Sequence, residues 1–115
     1  METKSELLKD LEEYLPKLQT ELPQLMSGFT TLKNAAYQDG ALSRQVKELI
    51  ALAISISIPC DICIAHHLNN ALQAGVTKEQ IMETVGVAIQ MRGGPAAGEG
   101  ACKVLKTLEG LTASK

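Results

Sequence analysis

Aromatic side chains are almost missing from this chain. Tryptophan is absent, and one phenylalanine and two tyrosines bring the aromatic share to 3% of 115 residues. Without large rings the core has to be built from leucine, isoleucine, valine and alanine, which pack well as helix on helix. Charge of one sign is missing too. Eleven lysines and arginines are interspersed with 13 aspartates and glutamates, for a net charge of −2. That leaves no basic face for nucleic acid and no basic stripe for anionic lipid. The longest apolar run, Leu49 to Ile58, is about half of what a membrane span requires. The first residues, Met1 to Leu7, are polar and acidic, unlike a secretory signal. A cytoplasmic address is therefore expected, with neither a membrane nor a nucleic-acid partner. In that compartment a structural disulfide is unusual, and closely spaced cysteines point to catalysis or metal binding.

The length fits one domain, residues 1–115, with a modest core. Leu7, Leu8, Leu11, Leu15 and Leu18 recur at helical spacing and predict an amphipathic helix from Ser5 to Leu18. Pro23 is read as a helix end, followed by a short turn through Leu25 and Met26. A helix from Thr30 or Thr31 to about Gln38 is closed by Asp39-Gly40. Ser43 suits the N-cap of the next helix, which carries Glu48 and the apolar run to Ile58. That run alternates large and small with a strand's period of two, but no second strand exists to pair with it, so helix is expected. Pro59 is expected at the first position of a new helix that stops at Gly75. Thr77 to Gln80 is a capping box opening a helix to about Met91. Arg92-Gly-Gly-Pro95 breaks the chain. A last helix, about Ala96 to Leu108, starts with small residues, and the tail from Leu111 is expected to be loose. The architecture read from the sequence is all-α, with five or six helices.

Within the fourth of these segments the sequence places Cys60-x-x-Cys63-x-x-x-His67, and Glu48 stands twelve residues before Cys60. On a helix the two cysteines and His67 lie within about 60° of one another. Ile64, Ala71 and Ala74 share that stripe, so it faces the interior, while His66 points toward the surface. Cysteines three apart on a helix can close a disulfide. The helix dipole favours thiolate at Cys60, and His67 stands one turn from Cys63 to take its proton. Glu48 can orient the imidazole. A peroxide would oxidise one thiolate to a sulfenic acid, and the other cysteine would condense with it. Three other readings of these residues stand beside this one. The cysteines can be core packing. They can be zinc ligands with His67 and with Glu48 or a water, although structural zinc sites usually pair two clusters. C-x-x-C also occurs in thioredoxins, but no β-α-β pattern surrounds it here. Cys102 reads as a core thiol, and Arg92 and Glu99 as surface charge. The glycine-rich stretch near them follows no strand and lacks a P-loop lysine, so no phosphate cradle is expected.

Glu48 followed by Cys60-x-x-Cys63-x-x-x-His67 resembles the core motif of the AhpD-like alkylhydroperoxidases, within the carboxymuconolactone decarboxylase superfamily. The helix from Glu48 to Ser55 and the helix opening at Thr77 resemble it as well, so the likeness covers about residues 15–108. The resemblance implies an all-α chain assembled as an intertwined homotrimer or homohexamer. It implies reduction of hydroperoxides by a Cys60–Cys63 couple, with Glu48 and His67 as proton relay and no cofactor. Electrons would come from a dithiol carrier, a lipoyl or thioredoxin-like protein. The resemblance gives the attack to the second cysteine, and the position of His67 also favours Cys63. One departure stands out: Ile62 occupies a position where the best-studied members have histidine. General disulfide reduction with weak peroxidase activity is therefore the alternative. A metal-binding or assembly module and a lactone decarboxylase are more distant ones.

Overall fold

Helix ends in this chain are set by groups that satisfy the unpaired backbone of the first and last turns. The computed structural model describes residues 6–113. Its helices are α1 (Glu6–Glu21), α2 (Pro23–Tyr37), α3 (Arg44–Ser57), α4 (Asp61–Gln73) and α5 (Lys78–Arg92). The last, α6, continues through Gly94–Glu99, a π-helical stretch Gly100–Leu105, and Lys106–Ala113. No strand occurs among the described residues, so the fold is all-α as expected. No helix among them is long and apolar enough to cross a membrane.

Ser43 Oγ accepts the Val46 N–H at 3.2 Å and starts α3. Thr77 and Gln80 form the reciprocal capping box that starts α5. Helix α4 ends where Gly75 turns to φ 90°. There the Val76 N–H reaches Ala71 O at 3.0 Å and the Gly75 N–H reaches Leu72 O at 3.1 Å. This pair of bonds is a Schellman motif, which needs a positive φ and so favours glycine.

Several boundaries differ from those read off the sequence. Pro23 opens a single helix, α2, instead of ending one, because a proline in the first turn loses no needed donor. Helix α1 runs through Pro16 to Glu21, although an interior proline removes one ladder bond. Ser5, where that helix was expected to start, lies outside the described residues. Pro59 falls outside α4. Cys60, with extended backbone, is the N-cap in its place. Helix α6 extends past Leu108, and Leu111 is buried, so this part of the tail is packed. Residues 114–115 lie outside the described residues.

The core forms where α3 packs on α4 and α5. Leu52, Ile56, Ile64, Leu68, Ile81 and Val104 are fully enclosed there. Cys102, expected inside, is exposed, since Val104, Leu108 and Leu111 take the inner face of α6. The amphipathic stripe of α1 buries only Leu8, and α2 has no fully buried residue. Leu18, Leu25, Phe29, Leu32, Ile54 and Ile58 are exposed.

Gly100 marks a close approach of α6 to α5. A Cβ there would stand 2.7 Å from Val85 Cγ1. Gly100→Ala is expected to destabilise the fold by about 1–3 kcal/mol, as overpacking does. Gly86→Ala, whose new Cβ meets nothing within 4 Å, is expected to be neutral or to gain about 0.5–1 kcal/mol of helix stability. Thermal unfolding followed by circular dichroism checks the pair. Equal melting temperatures for the two variants would contradict the close approach.

Candidate active site

The antiparallel pairing of α3 and α4 builds the site. At one end Gln45 Nε2 donates to Ala74 O at 2.7 Å, locking the start of α3 to the end of α4. One turn further along α3, Glu48 is 1% exposed. A carboxylate that deep must be paired or must lose its charge. Its Oε1 lies 2.9 Å from His67 Nδ1 on α4, and its Oε2 lies 3.8 Å from the Arg44 guanidinium. Arg44 is held in turn by the loop before α3, where Asp39 Oδ1 accepts its backbone N–H at 2.6 Å.

The carboxylate accepts the Nδ1–H of His67, which leaves Nε2 as the basic nitrogen. Tyr37, at the end of α2, stacks its ring over His67 with centroids 5.8 Å apart. Burial, and then the Glu48 charge, hold the Tyr37 phenol above its ordinary value, so it stays a neutral donor. His66 was expected at the surface but is half-buried beside His67, with ring centroids 5.0 Å apart. The Asn70 amide donates to His66 Nε2 at 3.2 Å. Burial first, then the neighbouring His67 and Lys33, push the His66 pKa below its ordinary value, and Glu48 opposes them.

Cys60 and Cys63 are joined by a disulfide, with Cα atoms 5.2 Å apart. Cys60 Sγ also accepts the Cys63 N–H at 3.2 Å, so the sulfur caps the positive end of α4. Asp61 in the same turn pairs with Lys103 of α6 at 2.9 Å, and this hydrogen bond raises the lysine's pKa. The structure thus forms two pairs from the four sequence candidates, Glu48–His67 and Cys60–Cys63. Cys63 and His67 are one turn apart on α4. Among the described residues no group of three or more His, Cys, Asp or Glu side chains is placed to hold a metal ion. Arg92 is exposed as expected. Glu99 is half-buried, with Oε2 enclosed and unpartnered.

A cavity of about 370 Å³ opens beside the carboxylate–imidazole pair, lined by Lys33, Tyr37, Arg44, Glu48, His66 and His67 among others. Neither cysteine lines it. Sequence reasoning missed Lys33, Tyr37 and Asn70. The spacing of four between His66 and Asn70, and between Arg44 and Glu48, carried a signal for those contacts. The placement of α2 over α3 and α4 carried none.

The chain and its fold have relatives among known proteins. The family model for carboxymuconolactone decarboxylases matches residues 23–107, a span that includes all four site candidates. The chain belongs to the carboxymuconolactone decarboxylase family. A carboxymuconolactone decarboxylase family protein from Legionella pneumophila has a crystal structure that superposes with a TM-score of 0.88. It is 38% identical, over 92% of this chain and 94% of that one. A Thermotoga maritima family protein, a candidate for the antioxidative response, superposes with a TM-score of 0.65 at 27% identity, over 79% of this chain and 90% of its own. In sequence, a Cupriavidus necator protein of uncharacterised function is 44% identical over 75 residues, which is 65% of this chain and 66% of that protein. Membership in this family agrees with the AhpD-like reading of the motif.

The lowered His66 pKa has a stability consequence for this family member. Below the ordinary value of 6.5 the folded state binds fewer protons at His66 than the unfolded chain does. The contribution of His66 is therefore complete above that value and is lost as pH falls toward the folded pKa. Denaturant unfolding should show stability declining with acid in this window, with a shallower decline in His66→Gln. In a proton NMR titration, Lys33→Gln should move the His66 midpoint up, toward the ordinary value. An unmoved midpoint would exclude Lys33 from the field at His66.

Proposed function

We propose that this chain is a thiol-dependent peroxidase-type oxidoreductase working through Cys60 and Cys63, with Glu48 and His67 as proton relay. The fold and the family support peroxidase-type chemistry in general. The observation that carries the finer reading is the buried Glu48–His67 pair one turn along α4 from a bridged cysteine pair. In the reduced protein, His67 Nε2 accepts the proton of Cys63, and Glu48 stabilises the imidazolium. The Cys63 thiolate attacks one peroxide oxygen, the O–O bond breaks, and the leaving alkoxide takes the proton from His67. Cys63 is now a sulfenic acid. The Cys60 thiolate, favoured by the helix end and the Cys63 N–H, attacks that sulfur and expels hydroxide, which leaves as water. The dithiol has given two electrons. One peroxide has become one alcohol and one water, and an external dithiol restores the thiols by exchange.

Cys60→Ser protein treated with hydroperoxide is expected to hold a trappable sulfenic acid at Cys63, and Cys63→Ser protein none at Cys60. His67→Ala should slow formation at Cys63 by about a hundredfold or more, the usual worth of a positioned acid–base group. Sulfenic acid at Cys60 alone would reverse the two roles.

Ile62 favours a second reading. It is 41% exposed in the first turn of α4, between the two cysteines, and cannot shuttle protons, which suits exchange with a disulfide substrate better than peroxide cleavage. A reduced protein oxidised faster by a small disulfide than by hydroperoxide, each corrected for its reaction with a free dithiol, would select that reading.

We also propose that the exposed apolar side chains of α1 to α3 are covered by further copies of the chain, as a homotrimer or homohexamer. Leu18, Leu25, Phe29, Leu32, Ile54 and Ile58 are large apolar side chains left exposed by the single chain, and exposed apolar surface is what subunit contacts cover. Light scattering at micromolar concentration should report an oligomer, and a monomer there would contradict the assignment.

A further inference from the structure

The cavity beside His67 carries a charge that the proton relay does not use. Glu48 is the one carboxylate in its lining. It is already engaged by His67 at 2.9 Å and faced by Arg44 at 3.8 Å. Lys33, on α2, also lines the cavity and has no carboxylate partner among the described residues. A cation lining a half-open cavity without a counter-ion favours an anionic occupant. The neutral groups around it match that choice. Asn34 lines the same wall and supplies amide N–H donors, and the Tyr37 hydroxyl can donate as well. The volume, about 370 Å³, lies in the range of small-molecule sites. One uncompensated cation suits a monoanion better than a dianion.

We propose that this cavity is the subsite for a small carboxylate-bearing substrate, held by the Lys33 ammonium with Asn34 and Tyr37 as neutral donors. The assignment of that ligand as substrate rests on the thiol-redox reading of Cys60 and Cys63, whereas binding of the carboxylate does not. The substrate class is then a carboxylated disulfide or hydroperoxide, its anionic end beside Lys33 and its reactive bond toward α4.

Two aryl disulfides separate this class from its neutral counterpart: dithiodinicotinate, with a carboxylate on each ring, and dithiodipyridine, with none. In either case the two thiols of Cys60 and Cys63 give two electrons. The probe's S–S bond breaks, the Cys60–Cys63 bond forms, and two protons leave with two arylthiols. Rates are divided by those of a free dithiol, which removes the probes' intrinsic reactivity. The reduced protein is expected to prefer dithiodinicotinate by about tenfold or more, the worth of a hydrogen bond to a charged group. Lys33→Gln should lose most of that preference, read as the ratio of the two corrected rates within the variant. Equal corrected rates in the unmodified protein, or a preference that survives in Lys33→Gln, would overturn the assignment.

A second readout needs no redox chemistry. Nicotinate titrated into the disulfide form should shift the backbone amides of Lys33, Asn34 and Tyr37 in nitrogen-edited NMR spectra. The shifts should be lost in Lys33→Gln. Nicotinate binding without oxidation by either probe or by hydroperoxide would leave the carboxylate subsite standing and sink the thiol-redox reading. Oxidation by both probes without nicotinate binding would do the reverse.

Discussion

A carboxylate that is 1% exposed cannot sit in an all-aliphatic core without partners, and Glu48 has two. His67 comes from α4, and Arg44 from one turn earlier in α3. Breaking such a pair leaves an unpaired buried charge, a loss commonly of several kcal/mol. The relative placement of α3 and α4 is therefore tied to this contact as well as to the packing of Leu52, Ile56, Ile64 and Leu68. Where α3 and α4 lie decides where the cysteines lie. The loop joining them is short, and Cys60 both ends that loop and caps α4. Its sulfur is thereby placed at a helix terminus, where negative charge is favoured.

The same contact sets the chemistry available. An imidazole whose Nδ1–H is held by a buried carboxylate presents one nitrogen in one tautomer. Tyr37 and His66 crowd that ring from two sides, one a neutral donor and the other kept uncharged by burial. Arg44 and Lys33 both line the cavity beside the pair, and of the two Arg44 is the one ion-paired with Glu48. The proposed proton relay and the proposed carboxylate subsite both rest on this arrangement of charged groups.

Much of this was legible because it is local. Ser43, Gly75 and the Thr77–Gln80 box mark their helix ends through contacts within five residues, and each is found in the structure. The contact between Glu48 and His67 was legible from the motif. Features that depend on distant packing were not. Pro59 looks like a first-turn proline until Cys60 takes the cap. The π-helical stretch begins where Gly100 meets Val85, a contact between α6 and α5 that no spacing encodes. Cys102 follows from which face of α6 turns inward. The leucines of α1 read as a core stripe, but a single chain encloses only Leu8.

The most direct test takes reduced protein and one equivalent of hydroperoxide. The peptide that spans Cys60 and Cys63 is then followed by mass spectrometry, in the unmodified chain and in Glu48→Gln. The account predicts rapid loss of two hydrogens in the unmodified chain, slowed about a hundredfold or more when the carboxylate no longer holds the imidazole. Loss at the same rate in both proteins would show that the buried carboxylate has no part in thiol chemistry, and the central claim would fall.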